Sequence, residues 1–185
     1  MTAILTRHRF SVMEYEAMGE DRVLEPHVRT ELLDGEVFEM SPIGISHAWL
    51  VAEIHNTLHD LCGANAIVYG QSPVFLDRWS MPEPDVTLLK PRAGYRSSRP
   101  TPADILLLVE VSDTSLRLDR GKKLALYAAA AVPRVWIVDV AAHRILVFEA
   151  PEGSVYTKEA DLGPGDTVEV PGVSQPVPVS DLIGE

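Results

Sequence analysis

Residues 105–140 read ILLLVEVSDTSLRLDRGKKLALYAAAAVPRVWIVDV. The run 105–111 is apolar except for Glu110, the composition of a strand covered on both faces. Residues 119–131 suit a helix: they close on four consecutive alanines, and Pro133 stops further growth. VWIVDV at 135–140 is a second buried strand. Strand, helix and strand in that order imply a parallel pair joined by a right-handed crossover. The expected class is α/β.

Shorter elements extend this unit in both directions. Residues 11–18 predict a helix with Ser11 and Glu14 as a capping box and Gly19 as its stop. Residues 30–40 predict a hairpin turning at Asp34-Gly35. Residues 46–61 predict a helix with His47, Leu50, Val51, Ile54, Leu58 and Leu61 on one stripe. Short strands are expected at 66–69, 73–76 and 85–89, the last entered through Pro82-Glu83-Pro84. Residues 90–102 carry three prolines and no periodicity, and predict a long loop. Residues 144–149 alternate as a more exposed strand, followed by edge hairpins and a tail ending in Asp181-Leu182-Ile183. No internal repeat or linker divides the chain, so residues 1–185 are expected to form one domain.

Composition sets limits. The chain has 185 residues, 46% of them hydrophobic and 23% charged, enough for one core. No stretch reaches the ~18 consecutive apolar residues of a membrane span. The N-terminal apolar run, Ala3 to Leu5, is too short for a signal peptide, so the expected location is cytoplasmic. One cysteine, Cys62, excludes an internal disulfide framework and a Cys-rich zinc site. The net charge of −11 opposes tight non-specific binding to a phosphate backbone. Two segments depart from that balance. Residues 86–103 hold Lys90, Arg92, Arg96 and Arg99 with no acid, and 114–123 hold four cations against Asp119. The 90–99 segment is expected to act as a mobile phosphate-gripping flap, with Arg92, Arg96 and Arg99 as the nucleic-acid-binding residues.

Three residues could carry chemistry together. Glu110 lies near the end of an apolar strand, where a carboxylate requires a cation, a metal or hydrogen bonds. Asp85 opens the neighbouring strand after Pro84. Two carboxylates on adjacent strands suit Mg²⁺ or Mn²⁺, hard cations that take oxygen ligands and keep several waters. Lys123 shares the inward stripe of the next helix with Leu126, Tyr127 and Ala130, whereas Lys122 lies about 100° away. His47, on the apolar stripe of its own helix, is a candidate further ligand or proton carrier. A zinc site at His55 and His59 is a weaker alternative, because Asn56 stands where a metalloprotease needs Glu. A glycosidase is weaker still, since aromatics are only 6% of the chain.

The ordered set ELLDGEVFEMSP, His47 on a helix, PEPDV, LLLVEVSDTS and DRGKKLALYAAAAVPRVWIVDV resembles the Uma family of endonucleases. That family belongs to the restriction-endonuclease-like PD-(D/E)XK superfamily. The resemblance runs from about Phe10 to Phe148. It implies a mixed sheet flanked by helices, with an additional N-terminal hairpin and C-terminal strands. It also implies Mg²⁺- or Mn²⁺-dependent hydrolysis of phosphodiester bonds, with DNA expected ahead of RNA, and a homodimer as the expected assembly. Pro84-Asp85 would be the PD element and Glu110 the second acid. Ser112 occupies the position of the usual lysine, so that role passes to Lys123. Glu31, Glu36 and His47 would be supplementary, with Glu31 and His47 counted among the catalytic set. A non-catalytic binding or assembly domain that keeps the nuclease fold stands as the alternative.

Overall fold

The computed structural model describes residues 6–25 and 27–184. The apolar run Ala3–Leu5 lies outside them. Among the described residues no helix is long and apolar enough to cross a membrane.

Six strands form the central sheet: β3 (Ile67–Gly70), β4 (Val86–Leu89), β5 (Ile105–Ser112), β6 (Arg134–Asp139), β7 (Arg144–Glu152) and β8 (Val155–Leu162), side by side in that order. All neighbours are antiparallel except β5 and β6, whose parallel register pairs Glu110 with Ile137. The chain makes that crossover through α3 (Leu116–Leu118), a π turn (Asp119–Lys123) and α4 (Leu124–Ala129). The helix thus begins three residues before the predicted start and carries a wide turn that periodicity does not reveal. It ends at Ala129, and Ala131 takes a left-handed φ of 57° two residues before Pro133.

Both sheet faces are covered. Leu107, Val109, Trp136 and Val138 pack beneath α2 (Ile45–Cys62) and α5 (Ser180–Ile183). Ile105, Leu108, Val135 and Ile137 pack against Tyr127 and Val132 on the other side. A bulge between Leu88 and Leu89 puts Leu89 opposite Ile105, which sends Ile105 to the same face as Leu108. Each such buried side chain contributes about 1.5–3 kcal/mol. On α2 the buried stripe ends at Cys62, while Leu61 is exposed.

Several local readings are corrected. Helix α1 (Val12–Glu20) has the predicted capping box but runs through Gly19, ending where Asp21 donates back to Ala17. Residues 73–76 do not form a strand, because their N–H groups go to three separate partners: Val74 to Pro82, Phe75 to Pro100 and Leu76 to Ser80. Strand β7 is buried from Ile145 to Phe148, since β8 forms the exposed edge beyond it.

The separate hairpin β1 (Thr30–Leu33) and β2 (Glu36–Glu39) turns at Asp34 and Gly35, with φ of 55° and 77°. A Cβ at Gly35 would meet the Arg9 Cβ at 2.7 Å, so both conformation and close approach require glycine.

The 90–102 loop is tied down. Lys90 donates from its backbone to Asp104 and from Nζ to Ala103 (2.7 Å). Arg92 donates from Nε and a terminal nitrogen to both Asp104 oxygens, at 2.6 and 3.0 Å, while lying over the Tyr95 ring. Arg99 pairs with Glu16. The Arg92 hydrogen bonds hold the Asp104 carboxyl well below the usual carboxylate range, against the effect of burial. Replacing Asp104 with alanine is expected to speed tryptic cleavage after Arg92 and Arg96 at neutral pH, with the rest of the fold intact. Limited proteolysis read by mass spectrometry checks this.

Candidate active site

The cleft opens where β5 ends, β4 begins and α2 starts. It encloses about 650 Å³ and is lined by Arg29, Glu31, His47, Asp85, Glu110, Asp119 and Lys123, among others. Antiparallel pairing of Val86 with Val109 sets the start of β4 beside the end of β5, which brings Asp85 next to Val111. The Val111 N–H donates to Asp85 Oδ2 (2.9 Å), and His47 Nε2 lies 3.3 Å from the same oxygen. Gln71 reaches Oδ1 at 3.4 Å. Period-two alternation turns Glu110 to the α4 side of the sheet, the face of Leu108. There Lys123 Nζ lies 2.8 Å from Glu110 Oε1 and 3.3 Å from Glu31 Oε2. Glu31 comes from β1, and its Oε2 also accepts the Glu83 N–H.

The electrostatics are unusual. Glu31, Glu110, Asp119 and Lys123 are each only 3% exposed, and Asp85 is 8% exposed. Three of these acids, Glu31, Glu110 and Asp119, therefore face one ammonium, and Asp85 adds a fourth buried acid nearby. Burial pushes the Glu110 carboxyl well above the ordinary range, opposed by Lys123 and reinforced by Asp119, Asp85 and Glu31. Burial works against the Lys123 ammonium, but Glu110, Glu31 and Asp119 outweigh it and hold its pKa above the usual lysine range. The hydrogen bond that His47 donates to Asp85 raises the pKa of its imidazole, against partial desolvation.

Sequence reading singles out Asp85, Glu110, Lys123, His47 and Glu31, and all five line this cleft. The others lie elsewhere. Glu36 pairs with Lys122 on the outer side of the hairpin. Arg92, Arg96 and Arg99 do not line the cleft: their loop leaves the far end of β4 from Asp85, and Arg92 and Arg99 are already paired with acids. The basic loop therefore lies at the opposite end of β4 from the cleft. His59 pairs with Asp60 in solvent rather than with His55.

Three cleft-region residues escape sequence reading. Arg29, beside the hairpin, lines the cleft and pairs with Glu83. Asp119 lies 3.8 Å from Lys123 and accepts from Ser115 and from Ser112 Oγ, the latter at 2.7 Å. Tyr127 donates its hydroxyl to Glu110. The four-residue spacing of Asp119, Lys123 and Tyr127 is the signal that could have found the last two.

The donor set suits a hard divalent cation in its chemistry. Asp85 and Glu110 carry carboxylate oxygens of the kind such an ion takes, and an excess of acids over cations at the site would favour one. Among the described residues no three His, Cys, Asp or Glu side chains converge to close a metal site unaided.

Comparisons with known proteins agree on family and fold. No curated protein matches the chain. It is similar to a crystal structure described as a "putative nuclease belonging to DUF820" from Anabaena variabilis, with 13% identity and a TM-score of 0.73. The likeness covers 94% of this chain and 97% of that one. At that identity it shows a shared fold, a mixed sheet flanked by helices. Residues 12–178 match the family Uma2, described as "Putative restriction endonuclease", and the chain belongs to that family.

Proposed function

We propose that this protein is a Mg²⁺- or Mn²⁺-dependent nuclease that hydrolyses phosphodiester bonds at the Asp85, Glu110 and Lys123 site. One observation carries the reading: at the floor of an open cleft three acidic side chains, Glu31, Glu110 and Asp119, surround a single buried ammonium, and a fourth, Asp85, is buried in the same cleft. Such an excess of buried negative charge is costly unless a cation offsets it. Family membership supports nucleic acid as the substrate, with DNA ahead of RNA. A homodimer is the assembly expected, the commonest closed arrangement of soluble chains.

Asp85 and Glu110 would hold the ion, which when bound supplies an acidified water and polarises a phosphoryl oxygen. The rest is the chain's own work. Lys123, fixed by Glu110 and Glu31, presents a preorganised positive charge to the oxyanion that develops during phosphoryl transfer. His47 and the Val111 N–H fix the orientation of Asp85. Arg29, the remaining cation among the cleft-lining residues, is placed to exchange Glu83 for a substrate phosphate.

Cleavage of a panel of DNA, RNA and branched substrates tests the reading. The wild type should cleave with Mg²⁺ or Mn²⁺ and not with EDTA, and Glu110→Ala should lose at least about 10²-fold. Metal binding without cleavage of any substrate would favour the non-catalytic alternative. A second expectation concerns stability. Lys123→Met leaves Glu31, Glu110 and Asp119 without their cation and should cost about 3–5 kcal/mol at neutral pH. Adding Glu110→Gln should recover part of that loss, as read from urea unfolding in EDTA.

A further inference from the structure

We infer that Tyr127 is a positioning residue that fixes the Glu110 carboxylate for a divalent cation, as the last member of a column formed with Asp119 and Lys123. The inference rests on the metal-dependent reading above. Tyr127 is fully buried, and its hydroxyl donates to Glu110 Oε1. Lys123 Nζ lies 2.8 Å from that same oxygen. Both donors therefore use Oε1, and Oε2 is the oxygen left for a ligand in the cleft that Glu110 lines. Phenylalanine would fill the same space among Leu108, Val132 and Ile137 without bringing a polar group into an apolar cluster. The hydroxyl thus serves the carboxylate rather than the packing.

The backbone is shaped for this alignment. At 3.6 residues per turn, an α-helix rotates about 40° past a full turn every four residues, so eight residues drift about 80°. Asp119, Lys123 and Tyr127 are spaced by four, and a regular helix would fan them apart. Here the Leu124 N–H donates to Asp119, an i to i+5 closure that widens the turn and takes back part of that drift. Lys123 consequently lies within 3.8 Å of Asp119 while Tyr127, one turn on, still reaches Glu110. Ser112 and Ser115 anchor the start of the column through Asp119.

The test is Mn²⁺ binding by calorimetry to the full chain, in the wild type, Tyr127→Phe, Glu110→Gln and the double variant. Tyr127→Phe should weaken Mn²⁺ binding about 10–100-fold, the effect of losing a group that orients a ligand. The losses in the two single variants should not add in the double variant, because Tyr127 acts only through Glu110. In cleavage assays, kcat should fall with KM for the nucleic acid unchanged. Val132→Ala, a packing change in the same cluster, should lower the unfolding midpoint and leave Mn²⁺ affinity alone. An isotherm of Tyr127→Phe matching the wild type, additive losses, or an equal loss in Val132→Ala would overturn the inference while leaving the nuclease reading in place. A wild type that binds no Mn²⁺ would overturn both.

Discussion

The ammonium of Lys123 is the constraint around which the site is arranged. It is buried between Glu110 at 2.8 Å and Glu31 at 3.3 Å, with Asp119 at 3.8 Å. These acids come from three separate places: β5, the β1–β2 hairpin and the π turn. Each would be expensive to bury alone. The lysine makes their joint burial tolerable without neutralising them all, and the remainder of the negative charge faces the cleft. Docking of the hairpin against the sheet is thereby coupled to the charge state of the site. Such an arrangement is weak evidence for stability, because a well-packed apolar substitute would serve that purpose as well or better. It is stronger evidence for a function that needs charge held at a fixed point.

The apolar sheet carries the cost of this polar end. β4, β5 and β6 are buried on both faces, and the four residues of β4 are all inaccessible. Buried charged side chains are concentrated where β4 begins and β5 ends, beside a core that is mostly apolar. The antiparallel pairing of β4 with β5 places Asp85 beside Val111, and the parallel step to β6 leaves the crossover helix lying over the Glu110 face. Topology, rather than sequence proximity, thus brings Asp85 to Val111, 26 positions on, and Glu31 to Lys123, 92 positions on.

What is legible in the sequence follows from strong, local signals. A carboxylate inside ILLLVEV stands out because apolar runs rarely contain one, and Lys123 is separable from Lys122 because adjacent helix residues face directions about 100° apart. Asp34-Gly35 specifies its hairpin turn through backbone chemistry. Other features depend on partners that no local pattern encodes. Glu31 lies in a four-residue strand of a detached hairpin, and its burial requires Lys123 from the crossover. Tyr127 reads as an ordinary core aromatic until Glu110 is seen beneath its hydroxyl. The basic loop reads as a solvated flap because its cations are adjacent in sequence, while their counterions Asp104 and Glu16 are supplied from outside it. Residues 73–76 have strand composition but divide their hydrogen bonds between the segment of Ser80 and Pro82 and that of Pro100.

The distribution of charge also bears on how an acidic protein could handle a polyanion. The net charge is −11, and the cleft itself adds carboxylates rather than cations at the place where a phosphate would sit. Of the cleft-lining residues only Arg29 and Lys123 carry permanent positive charge, and both are engaged by acids. A phosphate entering this cleft without additional positive charge would meet repulsion strengthened by the low local dielectric. On the nuclease reading, substrate affinity is therefore conditional on the charge state of Asp85 and Glu110. Neutralising those carboxylates lowers the barrier to phosphate entry at the same site where the chemistry takes place. Discrimination against unproductive binding elsewhere follows from the same arrangement, because the surrounding acidic surface offers a nucleic acid little long-range attraction.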